Sequence, residues 1–179
     1  MGLNDTPSGN RYTIGLFGPR NVGKSSLVNK LLGQDLVLTS EVAGTTTDPV
    51  SKSMELLPIG PVLFVDTAGL DDEGELGLKR VDKSYEALRK CDLALFVLDA
   101  SRQSGKFSEM AEQFLRESRK RNMPTIVVIN KCESVEGPVS HRECFDIPAD
   151  VPIVCTDALS GSGIEDLKQA IIRLSLIHI

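Results

Sequence analysis

An α/β fold, with a mostly parallel six-stranded sheet, one antiparallel edge strand and helices on both faces, is predicted by three features of this 179-residue chain. Short apolar runs rich in Val, Ile, Leu and Phe alternate with amphipathic stretches of helical period, as expected for strands covered on both faces by crossover helices. The first apolar run passes through a glycine-containing loop straight into a helical pattern. Two further runs are separated by one short turn, which suits an antiparallel pair at a sheet edge.

Taken in order, residues 12–17 form the first strand and residues 26–32 continue the first helix. Strands are expected at 50–57 and 61–66, joined by Pro58-Ile59-Gly60. Residues 77–90 carry a helical stripe of Leu78, Val81, Tyr85 and Leu88, and a strand follows at 93–99. The next helix, 107–121, turns Phe107, Met110, Phe114 and Leu115 inward. Pro124 opens a strand at 125–130, the polar segment 133–150 has no clear element, and 151–155 is the last strand. Ile164, Leu167, Ile171 and Leu174 mark a final helix over 164–174. The domain is expected to span 11–174, after an extension at 1–10. Residues 175–179, apolar and uncapped, read as a truncated tail.

Hydrophobic residues make up 41% of the chain and charged residues 25%, with a formal net charge of -5, so a substantial core is expected and a nucleic-acid surface is not. Basic residues are interleaved with acidic ones, as on solvated helix faces. The N-terminus lacks the order of a signal peptide and no apolar run reaches bilayer length, which predicts a cytoplasmic protein without a membrane partner. Cys91, Cys132, Cys144 and Cys155 show no metal-ligand spacing and are expected to be reduced thiols. His141 and His178, far apart in sequence, are expected at the surface.

The chemistry is concentrated in Gly18-Pro19-Arg20-Asn21-Val22-Gly23-Lys24-Ser25, a complete G-x-x-x-x-G-K-S phosphate loop between strand and helix. A triphosphate needs converging backbone N–H groups, a helix N-terminus and a cation, and glycines permit the close approach. Contacts are expected from Gly18, Arg20, Asn21, Val22, Gly23, Lys24, Ser25 and Ser26. Lys24 reaches the β- and γ-phosphates, and Ser25 ligates Mg2+. Val65-Asp66-Thr67-Ala68-Gly69 ends a strand, where Asp66 can hold Mg2+ through water and the Gly69 N–H can meet the γ-phosphate. Asn130-Lys131-Cys132-Glu133 is similar to the N-K-x-D guanine box. Asp157-Ala158-Leu159 occupies the place of the S-A-K loop, whose backbone N–H meets guanine O6. Gly44-Thr45-Thr46-Thr47-Asp48 lies where a switch threonine belongs. These elements arrive in the order a GTPase requires.

On those residues the chain resembles the TrmE–Era–EngA branch of translation-factor-type GTPases over nearly its whole length. The form G-x-x-N-x-G-K-S-S and the G-T-T-x-D switch carry the resemblance. Gly2-Leu3-Asn4-Asp5-Thr6-Pro7, the stretch from Met54 to Pro61 and the stretch from Asp66 to Gly77 look more narrowly like the N-terminal domain of the HydF family of FeFe-hydrogenase maturation GTPases. The resemblance implies a slow, potassium-stimulated GTPase switch that binds GTP and GDP. Catalytic roles fall on Lys24, Asn21, Thr46 and Gly69. Mg2+ falls to Ser25, Thr46 and Asp66, and K+ partly to Asn21, because Leu70 stands where Ras-like enzymes use glutamine. It further implies hydrogenase-maturation proteins and the hydrogenase as partners through a longer protein. The family's C-x-H and H-C-x-x-C cluster ligands are not reproduced here, so no iron–sulfur cluster is expected. A tRNA-modification or ribosome-assembly GTPase of the same branch is the alternative, as is a nucleotide-gated binding module with negligible turnover. Glu133 replaces the aspartate of the guanine box, and Asp157 replaces the serine of the last box. The acidic residues Asp71, Asp72, Glu73 and Glu75 suit either a water-positioning carboxylate or a solvated, mobile switch.

Overall fold

The structure is a computed structural model that describes residues 11–33, 50–67, 85–102, 105–134 and 141–178. Its strands are β1 (Tyr12–Phe17), β2 (Val50–Leu56), β3 (Gly60–Asp66), β4 (Leu93–Asp99), β5 (Thr125–Asn130) and β6 (Ile153–Cys155). The long helices are α1 (Lys24–Leu32), α2 (Gly105–Lys120) and α3 (Ile164–His178). Residues 85–88 are helical, and short helical turns occur at Cys132–Ser134 and His141–Cys144.

The sheet runs in the order β2-β3-β1-β4-β5-β6, antiparallel only between β2 and β3 and parallel at the other four pairings. This is the predicted six-stranded sheet with its antiparallel edge. The chain reverses at residues 57–59, and Gly60 resumes the strand with φ +98°, which a Cβ would disfavour. β1 lies between β3 and β4, so strand order switches direction beside the loop that follows it, the usual place for a ligand in an open α/β sheet.

Both faces of the sheet are apolar, as the runs of Val, Ile, Leu and Phe require. Within β4, Leu93, Leu95 and Val97 join one core with Leu27, Val28 and Leu31 of α1 and with Leu167 and Ile171 of α3. Ala94, Phe96 and Leu98 point the other way and pack with Ala111, Phe114 and Leu115 of α2. The Phe96 and Phe114 rings stack 4.6 Å apart, and Phe17 meets Phe114 at 5.1 Å. Burying each such side chain stabilises the fold by about 1.5–3 kcal/mol.

Several boundaries differ from the sequence expectation by one to four residues, most clearly in the last strand and the last helix. β6 is only three residues long: the Pro152 carbonyl still accepts the Val127 N–H at 2.9 Å, but proline has no N–H with which to extend the strand. α3 continues to His178 rather than stopping at residue 174, with Ser175 fully buried while Leu176 and Ile177 stay exposed. The segment 133–150 contains the turn His141–Cys144, followed by Phe145 and Ile147, whose side chains enter the α2-side core. No helix among the described residues is long and apolar enough to cross a membrane.

Candidate nucleotide site at the strand ends

The loop after β1 is shaped first by what its backbone cannot avoid. Gly18 and Gly23 have φ of +139° and +95°. A Cβ on Gly18 would run into the Val97 carbonyl, and one on Gly23 into the Asn130 amide. Glycine is therefore needed twice over, for conformation and for close approach to β4 and β5. Asn21 adopts the left-handed region as well, at φ +60°, which asparagine tolerates better than most residues.

Gly23 is also the N-cap of α1 and gives no side-chain cap, so the first-turn N–H groups face the loop mouth without competition from it. Lys24 is buried, and its Nζ donates to the carbonyls of Gly18 at 3.0 Å and Pro19 at 2.6 Å, holding the ammonium across the loop. Ser25 Oγ donates to Asp66 Oδ2. The other oxygen, Asp66 Oδ1, is buried without a hydrogen-bond partner among the described residues. A hydroxyl and a partly unsatisfied carboxylate together are the hard oxygen donors that Mg2+ takes, so these residues fit that ion. Thr67, next in the chain and also lining the cleft, is held by its N–H and its hydroxyl, both donating to the Leu16 carbonyl. The resulting cleft, lined by Asn21, Lys24, Ser25, Asp66 and Lys131 among others, holds about 530 Å3.

On the side away from Asp66, buried Asn130 is the keystone. Its Nδ2 donates to the Val22 carbonyl at 2.9 Å, and its Oδ1 accepts from Thr156 Oγ1 and the Ala158 N–H, both at 3.1 Å. Lys131, left-handed at φ +63°, sends its Nζ to the Asn21 carbonyl at 2.7 Å and to Asp99 Oδ2 at 2.6 Å. Burial opposes ionisation of Asp99, but hydrogen bonds from Lys131 and Ser101 outweigh it and hold the carboxyl below its ordinary value. Asp157 closes the following turn, its Oδ1 accepting the N–H groups of Leu159 at 3.0 Å and Ser160 at 3.2 Å.

The structure thus brings Gly18, Asn21, Val22, Gly23, Lys24, Ser25, Asp66, Asn130, Lys131 and Ala158 to one end of the sheet, with Arg20 and Ser26 exposed at the loop rim. Val22 is buried beneath the loop. Glu133 is exposed on its helical turn, and Leu159 is 87% exposed. Thr46, Gly69 and the acidic run 71–75 lie outside the described residues.

Two groups escaped the sequence reading. Asp99 is the buried counter-charge of Lys131, and its position at the C-terminal end of β4 was the available signal. The second group joins residues whose sequence spacing showed no site, and His141, expected at the surface, is half-buried. Ligand atoms of Cys132, His141 and Cys155 all lie within 4.8 Å of one another, because parallel pairing of β5 with β6 brings their ends together. The Cys132 Sγ donates to the Ile129 carbonyl at 3.1 Å, and the closeness of the two sulfurs together with burial pushes the Cys132 thiol well up while Cys132 brings Cys155 down to about 7.

Comparison with known proteins agrees with this geometry. The family described as 50S ribosome-binding GTPase matches residues 13–131. GTPase Der of Wolinella succinogenes is 39% identical over 182 residues, covering 96% of this chain and 37% of that protein. The tRNA modification GTPase MnmE of Desulfotalea psychrophila is 35% identical over 160 residues, covering 87% of this chain and 33% of its own length. The chain therefore spans about a third of the length of these curated relatives. Era from Aquifex aeolicus bound to GDP.AlF4- superposes with a TM-score of 0.71 at 29% identity, over 90% of this chain and 56% of that one. Era is also solved in complex with MgGDPNP and a segment of 16S ribosomal RNA, with the same TM-score of 0.71 and 29% identity, over 91% of this chain and 56% of that one. With its phosphate loop seated on β4 and β5 and its sheet in this order, the chain is a P-loop GTPase domain of the Era, Der and MnmE branch and belongs to the 50S ribosome-binding GTPase family.

Proposed function

We propose that this chain binds GTP and GDP and hydrolyses GTP as the switch domain of a longer protein. The observation that carries the reading is the convergence of Lys24, Ser25 and Asp66 at one helix N-terminus, in a cleft of about 530 Å3, within the range of small-ligand sites. Lys24 and the first-turn amides of α1 place positive charge where the β–γ bridge would lie, and cleavage of that bond depends mainly on positioning and charge stabilisation. Ser25 and Asp66 would hold Mg2+, which when bound neutralises phosphate charge. Asn130 and Lys131 set the floor of the base pocket by locking the phosphate loop against the loop after β6.

Among longer proteins, the relatives above favour one that acts in tRNA modification or ribosome assembly. A hydrogenase-maturation role rests only on the resemblance at 2–7, 54–61 and 66–77. The expectation of no nucleic-acid partner is not carried forward, since Era is solved with 16S ribosomal RNA. The net charge of -5 nevertheless places any RNA contact of this chain on a local patch rather than on its overall field.

Steady-state GTP hydrolysis and fluorescent-GDP binding test the reading. Wild-type chain should release phosphate from GTP and bind GDP far more tightly than ADP, and Lys24→Ala should lose at least about 100-fold in turnover, in line with removal of one transition-state donor. Asn21 lines the cleft and is exposed, which suits the potassium role implied by the resemblance. Rates should rise in potassium over sodium, and Asn21→Ala should lose that rise. Tight GDP binding with no phosphate release in either salt would favour the nucleotide-gated binding module.

A further inference from the structure

We propose that Cys132, His141 and Cys155 form a binding site for one thiophilic divalent metal ion of the zinc class, joining the loops that leave β5 and β6. Two thiols and an imidazole are a donor set that zinc takes in preference to the oxygen-ligated cations. Tetrahedral zinc, with Zn–S near 2.3 Å and Zn–N near 2.0–2.1 Å, sets its ligand atoms roughly 3.3–3.8 Å apart. The three ligand atoms here already lie within 4.8 Å of one another, so rotamer adjustments of about 1 Å would close the site.

The backbone beneath is fixed independently of any ion. Cys155 ends β6 and pairs in register with Ile129, while the Cys132 N–H donates to the Thr156 carbonyl at 3.1 Å. His141 opens the helical turn His141–Cys144, and its Nδ1 is buried with no hydrogen-bond partner among the described residues. A buried, unsatisfied imidazole nitrogen beside two sulfurs costs free energy that a metal–nitrogen bond would recover. Cys155 is exposed, so an ion has an entry path and a fourth position open to solvent. The other two cysteines lack this setting. Cys91 is buried and belongs to no such cluster among the described residues, and Cys144 is not among the three clustered residues although it shares the His141 turn. A Cys132–Cys155 disulfide would need an oxidant and would leave His141 unsatisfied.

Cys132 directly follows Lys131, and Cys155 directly precedes Thr156, which bonds to Asn130. An ion joining the two cysteines therefore grips the same pair of loops that Asn130 ties together, and metal and nucleotide affinities should be linked reciprocally.

The test is titration of the reduced, chelator-treated, nucleotide-free 179-residue chain with Zn2+ against a chromophoric chelator, with Co2+ as an absorbance probe. One Zn2+ per chain is expected, together with a thiolate-to-Co2+ charge-transfer band. Cys132→Ser and Cys155→Ser should abolish both, His141→Gln should weaken binding at least tenfold, and Cys144→Ser should change neither. Failure to take up one Zn2+ in the wild type, or uptake that survives both cysteine variants, overturns the site. Should either variant misfold by circular dichroism, alkylation of the wild-type chain decides: Zn2+ should protect Cys132 and Cys155 from iodoacetamide, and equal labelling with and without Zn2+ overturns the proposal.

Discussion

At the phosphate end of the cleft the chain is shaped by its backbone, with Gly18 and Gly23 standing where no Cβ fits. At the base end the shape comes from side chains that span loops distant in sequence: Asn130 reaches Val22 and Ala158, and Lys131 reaches Asn21 and Asp99. The first arrangement leaves almost no freedom in residue type, and the chain matches the G-x-x-x-x-G-K-S pattern throughout. The second tolerates exchange wherever a bridging bond can be made another way. That is where Glu133 and Asp157 depart from the guanine-box pattern. Asp157, for example, still closes its turn through its own carboxylate.

The largest effect is expected from removing Asn130, which together with Lys131 ties the two ends of the cleft. Asn130→Ala deletes the hydrogen bonds to the Val22 carbonyl, Thr156 and the Ala158 N–H at a site that is 1% exposed. Stability to urea should fall by about 3 kcal/mol, as expected when several buried groups lose their partner. GDP affinity should drop by at least about 100-fold, because both loops lose their tie. A variant with wild-type GDP binding would mean that the two ends are independent.

A smaller effect is expected from Asp99→Asn, which keeps the shape but removes the counter-charge of Lys131. The loss should be about 1–3 kcal/mol by denaturant titration at neutral pH. Its pH dependence is specific. The folded-state value of Asp99 lies below its ordinary 3.8, so its contribution is complete above that value and is lost as pH falls through the lower folded value. The stability gap between wild type and Asp99→Asn should therefore be constant from neutrality to about pH 5 and close under stronger acid. An unchanged gap on acidification would assign the stabilisation to shape rather than charge.

The smallest effect should come from Glu133→Asp. Glu133 is exposed and lies on a turn fixed by its neighbours, so shortening it perturbs no core contact. Guanine affinity should stay the same or rise a few-fold in competition between GDP and ADP, since the shorter carboxylate restores the usual paired acceptor. A loss of guanine affinity would show that this chain positions its base for glutamate.

The sequence by itself determined the class of fold and the phosphate end. Apolar runs of strand length alternating with helical periods leave few architectures other than a covered parallel sheet, and the glycine positions of the loop are imposed by local φ values and close approach. It also located the strands well, because residues 93–98 and 126–129 are apolar throughout and bounded by polar or turn residues. It did not determine where the last helix stops, since Ser175 offers no signal of the burial it finds in the tertiary packing. Nor could it join Asp99 to Lys131, or Cys132 to His141 and Cys155. Those partners are brought together only when β4, β5 and β6 lie side by side. Spacing along a chain records the local backbone, whereas a contact between strand ends depends on sheet order and register. Only the tertiary structure supplies these.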